Sequence, residues 1–322
     1  LKLIITIDTE EDNWDRYSAT DNPVSNIERI PDLQRLFDNY GVNPTYLVSY
    51  PVATNPLSVA ILKKILEQGK CEIGMHCHPW NTPPFDEKAV IIERDTMLCN
   101  LPDGLIHEKM TVLHETICKS FGIVPFSFRA GRWGFGPAVA KSLCLLGYRV
   151  DSSVTPFVSW EKYQGPDFTA FKPDLFKFNS RGMESKEGAG PLLEVPVTIG
   201  FLQPDFELSL RRLRSLNSHW FKRLHVAGIL ERLRLLNMIW LSPELTKTSD
   251  MIKLAKRMKK NHYPFINLTF HSTSLKGNLG PFVKTFSDER IFLQKIEAFL
   301  KFAIADGFES ISLVELEEHI SI

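Results

Sequence analysis

The chain of 322 residues is 43% hydrophobic and 24% charged, ordinary values for a globular protein with a large buried core. Its 38 basic and 38 acidic residues balance, which removes any global electrostatic case for nucleic acid. No apolar run reaches the roughly 18 residues of a spanning helix, no signal-peptide pattern opens the chain, and the five scattered cysteines form no C-x-x-C. Reduced thiols and a cytoplasmic location are therefore expected.

In chain order, the first strand is LKLIITID, residues 1–8, running out into Asp8, Glu10, Glu11 and Asp12. A helix over 27–40 ends at Gly41, a strand follows at 44–49, and a helix over 57–69 ends at Gly69. The strand CEIGMHCH, residues 71–78, carries His76 and His78. Side chains alternate along a strand, so these two imidazoles share a face and Cys77 takes the other. Helices are expected over 87–100 and 107–121, then the strand PFSFRAG at 125–131 with Arg129. A helix over 136–146 leads to the strand YRVDSSV at 148–154 with Asp151. The Gly/Pro-rich stretch 157–191 reads as a long loop carrying Trp160, and LLEVPVTI as a strand at 192–199. Residues 207–242 read as a helical stretch rich in Leu and Arg. A helix over 248–261, the strand FINLTFHS at 265–272 with His271, a helix over 288–305 and a strand at 310–314 complete the chain.

Alternation of strand and helix implies a parallel sheet, and seven or eight units imply a closed or nearly closed barrel, with a doubly wound open sheet as the rival. In a barrel the C-terminal strand ends meet at one face. Asp8, His76, His78, Arg129, Asp151 and His271 all lie at such ends, so residues distant in sequence converge. Two histidines and a carboxylate are a three-ligand set for catalytic zinc. A second carboxylate and a further histidine would supply general base and general acid.

These residues resemble the polysaccharide deacetylase superfamily, carbohydrate esterase family 4, through five blocks in order: ITIDTEED, EIGMHCHPW, FRAGRWG, YRVDSSVTP and NLTFHST. Within it, DTEED, HCHPW and RAGRWG look closest to the WalW-like branch. The resemblance implies a distorted (β/α)7-type barrel over residues 1–322, here with a helical insertion near 205–245. It also implies a metal-dependent hydrolase that removes an N-acetyl or other acyl group from a sugar of a cell-envelope polysaccharide or its precursor. On this reading Asp8 is the base, oriented by Arg129 or Arg132, and His271 the acid, with Asp151 holding it. A divalent metal, Zn²⁺ first, would sit on His76, His78 and one acid of Glu10, Glu11 and Asp12, with Glu10 favoured. Trp80, Trp133 and Trp160 would stack on the sugar.

Three departures stand out. The usual aspartate pair is replaced by Asp8-Thr9-Glu10, the histidines are two rather than four residues apart, and Ala-Gly-Arg follows Arg129. The alternatives are hydrolysis of another small amide or ester, and a catalytically inactive carbohydrate-binding barrel. The basic, leucine-rich stretch 207–242 carries a further expectation, peripheral contact with the inner membrane face, against a helix packed on the barrel.

Overall fold

The structure is a computed structural model that describes residues 1–12, 14–85, 91–181, 190–216 and 237–319. Strand β1 (Lys2–Thr9) sets its logic. Leu3, Ile5 and Ile7 face outward into a large core under the helices, whereas Ile4 faces inward with Val150, Leu193 and Phe265. A strand buried on both faces reads as a continuous apolar run, which is why LKLIITI lacks polar alternation.

Around β1 lie β2 (Thr45–Val48), β3 (Glu72–Cys77), β4 (Ser127–Ala130) and β5 (Val150–Asp151). A short antiparallel β6 (Phe176–Phe178) and β7 (Leu192–Glu194) close one side, and β10 (Phe265–His271) the other, after β8 (Ile199–Phe201) and β9 (Met238–Trp240). The order is β10-β1-β2-β3-β4-β5-β7-β6, and among the described residues the seven strands other than β6 run parallel to one another, with β6 antiparallel to β7. The sheet curls until its ends nearly meet. Thr198 N–H reaches Asn267 O at 3.1 Å, and Thr269 N–H reaches Leu241 O at 3.1 Å. This is the distorted (β/α)7-type barrel, not the open sheet.

The five glycines expected to end helices, Gly41, Gly69, Gly122, Gly147 and Gly307, all have positive φ. Helix Phe286–Ala305 opens with a reciprocal Thr285–Asp288 capping box.

Several expectations need correction. Residues 91–100 are not helical: two 3-10 turns, Glu93–Thr96 and Leu98–Asn100, are separated by Met97 in an extended conformation, and 86–90 lie outside the described residues. The 157–191 loop contains β6, laid antiparallel on β7. The 205–245 insertion is helical over Phe206–Leu216, but Met238–Trp240 pairs with β8 as a strand, its Ile and Trp suiting a pleated surface. Most of the stretch assigned to membrane contact, 217–236, lies outside the described residues. No helix among the described residues is long and apolar enough to cross a membrane.

Candidate active site

Strand register builds the site. β1 and β10 pair with Asp8 opposite His271, so both side chains emerge on the same face at the barrel's C-terminal rim. His271 Nε2 lies 3.8 Å from Asp8 Oδ2. Two residues below, on the same face, Thr6 pairs with Thr269, and both hydroxyls accept from Arg129.

Arg129 is fully buried, and all five of its N–H groups are committed. Nη1 donates to Asp8 Oδ1 at 2.6 Å and to Thr269 Oγ1 at 3.0 Å. Nη2 donates to Thr6 Oγ1 and Ser152 Oγ, and Nε to Ser152 O. Burial works to raise the Asp8 pKa, but Arg129, His76 and His271 outweigh it and hold the carboxyl below its ordinary value. Arg132, the other arginine of the block, does not reach Asp8. It donates to Thr96 Oγ1 at 2.6 Å.

His76 and His78 turn the same way, as alternation requires. Glu10 Oε2 lies 3.6 Å from His76 Nε2 and 3.3 Å from His78 Nε2. Three such atoms within 4.8 Å of one another can share a cation. Ligands on a tetrahedral zinc at about 2.0–2.2 Å stand roughly 3.3 Å apart, so the spacing fits. The tautomers fit too. His76 Nδ1 lies 3.1 Å from Arg129 O, an acceptor only, and His78 Nδ1 lies 2.9 Å from Glu11 Oε1. Each Nδ1 is thus engaged by an acceptor, and each Nε2 is the ring atom turned toward Glu10. Burial lowers the His78 pKa, yet Glu11 and Glu10 raise it to about 10. That proton occupies the position a cation would take.

The three acids after Asp8 divide their labour. Glu10 faces the imidazoles. Glu11 accepts from His78, from Trp80 Nε1 at 3.3 Å and from Ser49 Oγ at 3.1 Å. Asp12 accepts from the backbone N–H groups of Ser25 and Asn26, pinning the turn there. Gly131 is required by close approach: a Cβ there would fall 2.3 Å from His78 Cδ2.

Asp151 is not brought to His271. Val150 faces inward, so alternation turns Asp151 outward and gives Arg129 its neighbour Ser152. Asp151 instead accepts from Ser153 Oγ at 2.7 Å and lies beside Glu194, its register partner. Burial pushes Asp151 up to about 6 and, with the neighbouring Asp151 charge, Glu194 well above its ordinary value. The residue that holds His271 is Glu244. Its Oε2 lies 3.0 Å from His271 Nδ1, and its Oε1 accepts from His271 N–H at 3.0 Å and from Ser274 Oγ. Burial lowers the His271 pKa, but Glu244, Glu10 and Asp8 raise it to about 10.

Above these groups opens a cavity of ≈420 Å³. Trp14, Trp80, Trp133, Trp160 and Trp240, five of the chain's six tryptophans, line it. Trp80 stacks on His78 at 4.1 Å, Trp133 faces Trp160 at 6.4 Å, and Trp14 meets His271 edge-on at 4.8 Å. Trp14, Trp240 and Glu244 were not singled out from sequence.

No protein family's sequence profile matches the chain, and no curated protein matches it. Solved structures do. One from Mycobacterium smegmatis, described as a polysaccharide deacetylase, aligns over 99% of this chain and 89% of its own, with a TM-score of 0.55 at 15% identity. An allantoinase named Puue aligns over 99% and 89%, with a TM-score of 0.54 at 11% identity. The chain thus has the barrel fold of the polysaccharide deacetylase structures. At such identities the likeness is one of fold, and activity must be argued from the side chains.

Proposed function

We propose that the protein is a metal-dependent deacylase that removes an N-acetyl or other acyl group from a sugar of a cell-envelope polysaccharide or its precursor, as in the WalW-like branch its motifs resemble. One observation carries this reading: an ionised carboxylate and a carboxylate-backed histidine, Asp8 and His271, share the rim with the triad Glu10, His76 and His78. A bound divalent cation, with zinc best suited to two imidazoles and a carboxylate, would supply Lewis acidity to the scissile carbonyl and acidify the attacking water. Asp8, kept ionised by Arg129, accepts the water's proton. His271 delivers a proton from Nε2 to the departing amine, while Glu244 holds its Nδ1–H. Trp80, Trp133 and Trp160 offer apolar faces to the sugar. The five cysteines are unpaired, which suits a cytoplasmic location.

Acetate release from a panel of N-acetylated sugars by the zinc-loaded protein tests the reading, and its pH profile tests the residue roles. Catalysis needs Asp8 ionised and His271 protonated. Asp8 is depressed and so ionised throughout the neutral range, while His271 is raised, so activity falls on the alkaline side as His271 loses its proton. A bound divalent cation would lower that limb from about 10. Glu244→Gln removes the nearest raising charge, so the limb should move to lower pH by about one unit or more. An unchanged alkaline limb would remove Glu244 from the mechanism, and no acetate from any sugar would remove the reading itself. The second reading, hydrolysis of another small amide, is supported by the fold shared with an allantoinase. Release of ammonia or carboxylate from non-sugar amides alone would establish it.

A further inference from the structure

The cavity wall contains one cation that the proposed chemistry does not use. Arg132 is the one lysine or arginine among the described residues that line it. Its placement is specifically built. Arg132 and Trp133 have φ of 52° and 63°, two consecutive non-glycine residues in the left-handed region. That turn sends the two side chains apart: Trp133 comes over the Arg129 guanidinium at 5.3 Å, and Arg132 lodges between the rings of Tyr17 at 5.2 Å and Tyr163 at 5.5 Å.

Flanked by two rings, the guanidinium plane is fixed and partly stripped of water, and only one-fifth of the side chain is exposed. Nη1 donates to Thr96 Oγ1. Its carboxylate neighbour, Glu93, is 3.4 Å from Nη2, and that side chain is 59% exposed, so solvent weakens the pair and an incoming anion can replace it. From the triad outward the wall runs as a ladder: His78 to Trp80 at 4.1 Å, Trp80 to Tyr17 at 5.0 Å, Tyr17 to Arg132 at 5.2 Å. Three such steps place the cation within reach of a group on the reacting sugar or the residue joined to it.

We propose that Arg132 determines specificity for an acidic substituent, carboxylate or phosphate, on the sugar substrate. The proposal rests on the deacylase reading above. A guanidinium fork matches either anion with two parallel N–H···O bonds, which a neutral hydroxyl cannot return. The exposed carboxylates of Asp15 and Glu93 on the same wall make neutral sugars the better ligands if Arg132 has no such role.

Tryptophan fluorescence of the zinc-loaded Asp8→Asn protein, which binds without turnover, provides the test. The probes are N-acetylglucosamine as the neutral sugar, its 1-phosphate and 6-phosphate as the phosphate arm, and glucuronyl-N-acetylglucosamine as the carboxylate arm. At least one acidic probe should bind about 10- to 100-fold tighter than the neutral sugar. Adding Arg132→Gln should bring that ratio down to about threefold or less, whereas Arg132→Lys, keeping charge but losing the fork, should retain an intermediate preference. An acidic preference that survives Arg132→Gln, or none in any arm, overturns the assignment of Arg132. If none of the probes binds, the deacylase reading fails with it.

Discussion

Asp8→Asn is expected to leave zinc content at one ion per chain while cutting acetate release by about 10²- to 10⁴-fold, the range for losing a positioned general base. The carboxamide matches the carboxylate in size, and its oxygen still accepts from Arg129 Nη1. Glu10 is held independently, its backbone N–H donating to Ser272 Oγ at 3.1 Å and its carbonyl accepting from Asn26 Nδ2 at 2.9 Å, so the triad is not disturbed. Zinc analysis beside the activity assay separates loss of base from loss of metal. Full turnover in this variant would leave Asp8 no role in the chemistry.

The second large effect concerns Arg129. Arg129→Leu removes a guanidinium whose five N–H groups are all bonded at zero exposure, and leaves the buried Asp8 carboxylate without the donor that neutralises it, while Thr6 and Ser152 keep Asn267 as a partner. Breaking a buried pair from one side costs about 3–5 kcal/mol, far more than the burial the leucine returns. The pH dependence fixes the cause. In the native protein Asp8 is depressed, so its contribution is fully present above the ordinary carboxylate pKa and is lost only as the pH falls through the folded value. In the variant burial acts without the guanidinium and raises Asp8, so the destabilisation should be larger near neutrality than in acid, where the carboxyl is protonated. Urea midpoints at the two extremes measure this. A loss under about 1 kcal/mol, equal at both, would mean that Arg129 is an ordinary core residue.

What the sequence made legible follows from local periodicity. The face shared by His76 and His78 needed only the two-residue repeat of a strand, and seven parallel strands followed from apolar runs punctuated by helix-ending glycines. The same repeat contained the answer for Asp151, since Val150 is an inward residue and its neighbour must look outward. The block resemblance, by contrast, sets Asp151 at His271, against that local geometry. Glu244 was illegible for a different reason. It follows β9 in WLSPEL, in a stretch whose Leu/Arg pattern reads as helix, and only tertiary packing sets it beside His271, 27 residues away. Among Glu10, Glu11 and Asp12 the sequence favours Glu10 as the metal carboxylate but gives Glu11 and Asp12 no separate roles. Their roles separate only when Ser25, His78 and Trp80, each far along the chain, arrive around them.

Distant imidazoles and a carboxylate gathered to hold one divalent ion are what every proposed role depends on, and a calorimetric titration of zinc into chelator-stripped protein measures that directly. One ion should bind per chain with release of protons from the site, and affinity should fall by about 100-fold or more in Glu10→Gln and in His78→Ala. Zinc bound as tightly by both variants as by the native chain, or no zinc bound by the native chain, would contradict the account.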